Sequence, residues 1–312
     1  MTAVQVLHLI RDLTIGGAQR SVMTLARTAG QDSRVMLYND VADDDVAWAD
    51  VVVAHVWRCA KGDPYVPVPF VAGVDPARLI VFNHDVEGYI TAPCALVVVY
   101  SKAAAQRQAV DTPIEVLPGG IGLTALQRVG AARQWDDIKS LGRLSTLHDG
   151  KIAPQTIGWW PDLPVRRLIV GGAGSQLAVL RSAFAGTRIE FPGEIRPHHR
   201  PQFLTQLDLF CYQTEWHEES FGYVVLEAMA AGCVVVTEPR GALAELVVDD
   251  VTGVLVDGAA AAAGQVARLV ADPALCSRLS EAGSQAAALY TSEAMQSRFG
   301  AMVSAVMSRG RG

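Results

Sequence analysis

Cysteine is scarce in this chain. The five thiols, Cys59, Cys94, Cys211, Cys233 and Cys276, are odd in number and widely spaced, so they form neither a disulfide framework nor a metal-type pair. Buried thiols are expected. No apolar run approaches the eighteen or more residues of a membrane span, and the opening "MTAVQVLHLIRDLT" lacks the basic region and cleavage site of a signal peptide. The expected location is cytoplasmic. The net charge of -6 comes without clusters of Lys and Arg, which excludes a phosphate-neutralising nucleic-acid binder. Residues 1–133 carry eleven Lys and Arg against thirteen Asp and Glu, so no broad basic face for membrane association is expected. There is no internal repeat and no low-complexity tract beyond the alanines at 259–263, which favour helix. "VGGAGSQL" reads Gly-x-Gly-x-x-Leu from Gly172 and lacks the third glycine of a dinucleotide fingerprint, and "GRLSTLHDGKI" fails the P-loop spacing.

What is present is apolar sequence in short, punctuated runs. The 312 residues, half of them hydrophobic, suffice for two domains of about 150 residues each. "VQVLHLI", "RVMLY", "DVVVAHV", "RLIVFN" and "ALVVVYS" are rich in β-branched residues and read as parallel strands buried on both faces. Helical patterns such as "AQRSVMTLARTAG" and "SKAAAQRQAV" separate them. A second alternation runs from "IKSLGRLS" through "VRRLIVGG", "RIEFPGEI", "QLDLFCY" and "GCVVVTE" to "TGVLVD". The expected architecture is therefore two Rossmann-like α/β domains. The linker is expected at 122–136. The final stretch "TSEAMQSRFGAMVSAVMS" is amphipathic, with Met295, Phe299 and Met302 or Val303 on one face, and is expected to dock on the first domain.

The stretch "HEESFGYVVLEAMAAGCVVVTE" places helix formers from Val225 to Ala231, a stop at Gly232 and then a strand. Glu219 is expected at or just before the helix N-terminus, where the backbone favours negative charge, and Glu227 two turns inside. Eight helical steps would separate them by roughly 12 Å. That is about the span from ribose to sugar in a nucleotide-diphosphate sugar, whose phosphates would then lie over the helix N-terminus. A helix-end charge and a solvated glutamate explain the same spacing.

The Glu-x7-Glu spacing inside "EESFGYVVLEAMAAG", with "GALAELVVDDVTGVLV" downstream, resembles the signature of the retaining family 4 glycosyltransferases of the GT-B fold (group 1 type). "GGAQRSVMTLA", "FNHD", "VVVYSKAAAQRQ", "VLPGGIG", "GRLS" and "RLIVGGAG" extend the likeness along the chain. The resemblance implies two Rossmann-like domains facing across a cleft: an acceptor-side domain over 1–130, a donor-binding domain over 136–290, and a segment 291–312 returning to the first. Its first domain is shorter than is usual in relatives, implying a more open acceptor cleft. The implied activity is transfer of a sugar from a nucleotide-diphosphate sugar to an acceptor hydroxyl with retention. No metal or other cofactor is implied, and a small-molecule or oligosaccharide acceptor is favoured over a lipid. A nucleotide-sugar-binding subunit without turnover is the alternative.

Carried over residue by residue, the resemblance gives Glu227 to the donor ribose and Glu219 to the sugar hydroxyls, with Ser220, Phe221, Gly222 and Tyr223 lining the donor between them. Backbone N–H groups of Phe221 and Gly222 would meet the diphosphate or sugar. Arg143, preceded by Gly142 in "GRLS", would hold the leaving phosphates, a task suited to its planar, permanently charged fork. The family's usual lysine five residues on is His148 here, and Lys151 follows in "DGK". Either takes the role, or the second cation is lost; Lys151 is favoured. Gly16 and Gly17 would let the backbone approach the donor, and His84 of "FNHD" would contact the transferred sugar. His55 and Asp85 are acceptor-side candidates for which packing serves equally well. Arg196 lies in "GEIRPHHRPQF", the loop that in this family approaches the base, whereas His198 and His199 are expected on the surface. Asp43 to Asp45 contain the Asp-x-Asp of metal-dependent glycosyltransferases of another fold, but sit in a polar run expected to be a solvated loop.

Overall fold

The computed structural model describes residues 3–12, 16–57, 73–86, 93–108, 110–131, 133–214 and 217–309. Cys59 lies outside them. The chain divides into two compact units: Met1–Gly120 with Glu219–Phe221 and Tyr290–Gly312, and Ile121–Glu218 with Gly222–Leu289.

In the first unit, six parallel strands, β1 (Val4–Ile10), β2 (Gln31–Leu37), β3 (Val51–Val56), β4 (Leu79–Asn83), β5 (Leu96–Val99) and β6 (Ile114–Val116), lie in the order β2-β1-β3-β4-β5-β6. Every residue of β4 and β5 is buried, as is all of β3 but Val56. Their continuous apolar character is that of strands covered on both faces. Helix α1 (Gly17–Leu25) packs against α12 (Ser292–Arg309), the C-terminal helix. That helix buries Met295, Phe299, Met302, Val303 and Val306, a stripe at helical spacing. Each is worth about 1.5–3 kcal/mol on full burial, against roughly 0.5–2 kcal/mol of lost rotamer freedom. Gln296 Nε2 donates to Thr24 O at 2.8 Å and Arg298 Nη2 to Val116 O at 2.8 Å. The last helix thus returns to the unit in which the chain began.

The second unit repeats the theme: β7 (Ser140–Leu144), β8 (Arg167–Gly171), β9 (Ile189–Gly193), β10 (Leu209–Tyr212), β11 (Val234–Thr237) and β12 (Val254–Leu255) in the order β12-β11-β10-β7-β8-β9, all parallel. Helix α8 (Tyr223–Ala230) is buried at every residue except Val224 and packs against α11 (Pro273–Ala287). An apolar helix with no wet face belongs inside a domain, so Glu227 is a charge placed in a core. In each sheet the chain order reverses once, between β1 and β3 and between β10 and β7. The carboxyl ends of the strands at such a reversal are where open α/β sheets bind ligands.

Two expectations are corrected. Residues 122–136 are not a bare linker, since α4 (Thr124–Ala131) occupies them and packs on α7 (Arg200–Leu204) and α8. Asp43 to Asp45 are not a loop but the first turn of α2 (Asp43–Trp48), where acidic residues offset the helix dipole. Asp45 accepts from the Ala42 N–H at 3.1 Å and pairs with Arg34 at 3.3 Å. Among the described residues no helix is long and apolar enough to cross a membrane, and no group of three or more His, Cys, Asp or Glu is placed to hold a metal ion.

Candidate functional site

In the second unit, Arg143 sits next to the end of β7, beside the strand-order reversal, and is almost wholly buried. Its Nη2 donates to Lys151 O at 2.6 Å, its Nε to Ser145 Oγ at 3.2 Å and its Nη1 to Gln213 O, while the guanidinium lies 4.6 Å from the Tyr212 ring centroid. Gln213 and Thr214 directly follow β10 on the other side of the reversal. A guanidinium cannot shed its proton on burial, so this arrangement fixes a positive charge at the carboxyl ends of β7 and β10. Gly142 precedes it inside β7, where a Cβ would collide with the Leu207 side chain and approach Ile169 O to 2.9 Å. Close packing within the sheet is therefore a sufficient reason for glycine there.

Beyond β11, buried Glu238 receives the Thr214 N–H at 3.1 Å and Oγ1 at 3.3 Å, with Arg240 Nε at 3.5 Å. Burial raises its pKa, and the Thr214 bonds and the charges of Arg240 and Arg143 pull the other way. His148 is exposed, its Nδ1–H donating to Asp149 O at 2.7 Å and its ring 6.3 Å from that of His217. Lys151 is half-buried in the turn before α5 (Pro154–Ile157), with its carbonyl on Arg143. The structure thus brings the Lys151 backbone, rather than His148, to the buried arginine.

Glu227 lies in the second turn of α8 with its side chain about 5% exposed. Both its oxygens accept from Arg200 Nη1, at 3.0 Å each. The presumption of two helical turns between Glu219 and Glu227 is corrected: the helix begins at Tyr223, and Glu219 to Gly222 are not helical. Gly222 caps the helix with φ +90°, a backbone conformation that L side chains rarely adopt. The helix therefore cannot extend back through it to Glu219. Glu219 and Ser220 are half-buried, and Phe221 is buried in the first unit with its ring 5.7 Å from Tyr100 and 5.9 Å from Tyr290. Tyr223 is buried as the first helical residue. Arg196, His198 and His199 are exposed around a 3-10 turn, with the two histidine rings 4.0 Å apart.

The first unit holds a chain of buried polar side chains. His8 Nδ1 lies 3.1 Å from His55 Nε2, His55 Nδ1 is 2.8 Å from His84 Nε2, and His84 Nδ1 is 2.7 Å from the Tyr100 hydroxyl. Tyr100 donates to Ser21 Oγ, and Ser21 to Gly17 O at 3.2 Å. Burial lowers the pKa of His8 and of His84 to about 3; that of His55 falls well below its usual value through burial and then the neighbouring His84 and His8. All three are neutral near pH 7, so each ring has one N–H to give. His8 Nε2 is buried without a hydrogen-bond partner, and a bare acceptor there costs less than a stranded donor. That sets the direction: Nδ1–H donates at each ring, from His8 to His55 to His84 to Tyr100. Both ring nitrogens of His84, the expected sugar contact, are consequently engaged inside its own unit. Asp85 is tied into the turn after β4, accepting from the Val86 N–H at 3.0 Å while its own N–H donates to Asn83 Oδ1 at 3.0 Å. Gly16 precedes α1 with an extended backbone and Gly17 is its first residue.

Reading the sequence missed His8, Tyr100 and Ser21 in the first unit and Arg200, Glu238 and His217 in the second. His8 sits mid-strand in an apolar run, and Arg200 opens α7 directly after a turn whose charges are exposed. A lone buried ionisable residue in a core strand is the signal that could have found His8. The described cysteines are free, Cys211, Cys233 and Cys276 buried and Cys94 half-buried, and burial pushes Cys211 and Cys276 up to about 12. They are packing thiols.

Residues 160–286 match the family of glycosyl transferases group 1. The D-inositol 3-phosphate glycosyltransferase of Xylanimonas cellulosilytica is 30% identical over 198 residues, covering 56% of this chain and 46% of that protein. The chain thus spans about half the length of the curated relative it matches. Among solved structures, Anabaena HepE in complex with UDP and glucose superposes with a TM-score of 0.75 at 17% identity, over 97% of this chain and 100% of that one. Sucrose-phosphate synthase from Thermosynechococcus elongatus gives 0.76 at 16% identity, over 98% and 99%. Identities this low establish a shared fold: two parallel six-stranded sheets with helices, as in GT-B glycosyltransferases.

Proposed function

We propose, from the match of residues 160–286 to the family of glycosyl transferases group 1 and from the GT-B fold, that this chain moves a sugar from a nucleotide-diphosphate sugar to an acceptor hydroxyl. The observation that carries the proposal is the permanent cation of Arg143, fixed at the strand-order reversal of the same unit that buries the Glu227 carboxylate. The solved likeness with UDP and glucose bound supports a nucleotide-sugar donor. In this reading Glu227 receives the ribose hydroxyls, Arg143 and Lys151 face the diphosphate, and Glu219 and the N–H groups of Phe221 and Gly222 meet the sugar.

The bond from the anomeric carbon to the diphosphate oxygen breaks, its electrons staying on the phosphate. The acceptor oxygen bonds to the same face of the carbon, and its proton passes to the departing phosphate. Retention follows from that same-face course, and no metal step enters it. A fixed guanidinium is suited to the leaving charge because it needs no reorganisation as the charge develops. A second reading, donor binding without turnover, draws on two observations: His148 stands exposed at the usual lysine position, and both nitrogens of His84 are engaged.

The test is thermal unfolding with UDP, GDP, ADP and TDP in turn, followed by release of sugar from the matching nucleotide sugars. Ligand at about 100 times its dissociation constant adds roughly 2.7 kcal/mol, a shift of a few degrees. A shift with one nucleotide, lost in Glu227→Ala, with sugar release lost in Arg143→Ala, is the expected result. Binding without release favours the second reading, and no shift with any nucleotide overturns both.

A further inference from the structure

Arg143 is bonded through all three of its nitrogens, Nε to Ser145 Oγ, Nη2 to Lys151 O and Nη1 to Gln213 O. Ser145 and Lys151 follow β7, the strand that carries Arg143, so the Gln213 bond is the one that crosses the strand-order reversal. That carbonyl lies past the end of β10 at Tyr212. In the trans peptide between Gln213 and Thr214 the C=O and N–H point in opposite directions, so whatever holds the Thr214 N–H also aims the Gln213 oxygen. Glu238 holds it. Its Oε2 accepts from Thr214 N at 3.1 Å, and Gln213, Thr214 and Glu238 are all buried. One peptide group therefore stands between a buried guanidinium and a buried carboxyl group, giving its oxygen to the first and its N–H to the second. A glutamate is costly as mere filler at such a place. The Thr214 bonds and Arg240 Nε, at 3.5 Å, offset that cost.

Resting on the donor reading above, we infer that Glu238 is a positioning residue for the diphosphate: by holding the Thr214 N–H it aims Gln213 O at Arg143 and so sets the attitude in which the guanidinium meets the departing phosphates. It acts through one peptide group and one arginine. The attitude matters because a guanidinium is a planar fork, and parallel N–H bonds to a phosphate form only in its plane. Losing the Gln213 carbonyl removes the bond that ties this fork to the β10 side of the reversal. What the Thr214 N–H requires of position 238 is an acceptor oxygen rather than a negative charge. The amide of glutamine supplies one, and an apolar side chain of similar length does not.

The experiment measures, by titration calorimetry, the dissociation constants of UDP, GDP, ADP and TDP and of their parent nucleosides. For the base that binds, the nucleoside constant divided by the diphosphate constant isolates what the diphosphate adds. Glu238→Gln and Glu238→Met both remove the charge, and only the first keeps an oxygen for the Thr214 N–H. The ratio for Glu238→Met is expected to fall about tenfold below that for Glu238→Gln, the worth of one hydrogen bond to a charged group, with nucleoside affinity the same in both. A general loosening of the fold would weaken nucleoside and diphosphate alike and leave the ratio unchanged. In an Arg143→Met background Glu238→Met should lower the ratio no further, because its effect passes through the guanidinium. If Glu238→Met does not fold, Glu238→Asp carries the test, since it keeps the charge and draws the oxygen back by one methylene, and its ratio should fall below that of wild type. Equal ratios for the Gln and Met variants, an Asp variant equal to wild type, or a loss that adds to that of Arg143→Met overturns the role of Glu238 and leaves donor binding standing. A wild type that binds its nucleoside as tightly as the diphosphate takes Arg143 off the phosphates and overturns the inference with it. A wild type that binds none of the four diphosphates overturns the donor reading and the inference together.

Discussion

The two units bury polar side chains near the strand-order reversal of their sheets in opposite ways. The first uses neutral groups in a directional relay, His8, His55, His84, Tyr100 and Ser21, each donating to the next. The second uses ions, with Arg143 in a fan of carbonyls and Glu227 clasped by Arg200. A neutral relay avoids the desolvation cost of charge but holds only while its protons stay in place. Buried ions carry that cost and keep a field that an incoming ligand can use. The same architecture is thus rigidified on one side and charged on the other. In the reading proposed above, the anionic part of the substrate falls to the second unit.

Acid should break this comparison with the largest effect. Unfolded histidines titrate near 6.5, whereas the folded pKa of His8 and His84 is about 3 and that of His55 is also well depressed. Their neutral, folded form is therefore fully favoured above about pH 6.5, and stability is lost as the pH falls from there toward 3 because the unfolded chain binds the extra protons. Three such groups give a slope of up to about 4 kcal/mol per pH unit. Glu238, whose pKa is raised, works the other way, favouring the fold as the pH drops through its titration, but it is one group against three. Urea unfolding at pH 7.5, 6 and 5 reads the slope. A flat profile would mean that the histidines are not buried as neutral rings.

Single substitutions should next show what each kind of burial costs. Glu227→Gln leaves Arg200 in the core without its counter-ion, and the expected loss is about 2–3 kcal/mol after allowing for the partial exposure of Arg200. Replacing both partners by methionine should recover most of that stability, since a buried pair is often matched by apolar packing, while nucleotide binding stays lost. In the relay, His55→Phe strands His8 Nδ1–H and His84 Nε2, about 1–3 kcal/mol for each polar group left unmatched, with no loss of nucleotide affinity expected. Denaturant midpoints and nucleotide titrations on the same variants separate the two. If His55→Phe abolishes nucleotide binding, the division of labour between the units is wrong.

Much of this architecture is legible in the sequence, and the illegible part has a common cause. "VQVLHLI" is β1 from its first residue to its last, because a β-branched run bounded by polar residues has few other folds open to it. The last helix shows its stripe at Met295, Phe299 and Met302. Arg143 and Glu227 stand out through their motifs, and their buried placement makes physical sense of those motifs. What local pattern cannot show is a partner far along the chain. Arg200 meets Glu227 across 27 positions, and His8 meets His55 across 47. Glu219, expected at or just before the helix N-terminus, stands apart from it because the helix begins at Tyr223, after the left-handed backbone of Gly222, a conformation that composition only permits. Pairings and dihedral choices belong to tertiary structure, and the chemistry of both units rests on them.

The smallest effect sharpens the comparison inside the charged unit. Lys151 gives its carbonyl to Arg143, whereas the exposed His148 ring donates to the neighbouring Asp149 O. If Lys151 supplies the second cation, His148→Lys adds a charge at a solvated position, where one ion contact is worth about 0–1 kcal/mol. Nucleotide affinity should then improve by no more than about fivefold, with the denaturant midpoint unchanged. Lys151→Met should by contrast weaken diphosphate binding and leave the nucleoside alone nearly unaffected, because the lysine acts on phosphate charge. Titrating UDP and uridine, or the matching pair for whichever base binds, distinguishes the two positions. A large gain from His148→Lys together with an inert Lys151→Met would transfer the role to position 148, and the field of the second unit would then include its solvent-facing rim as well as its buried arginine.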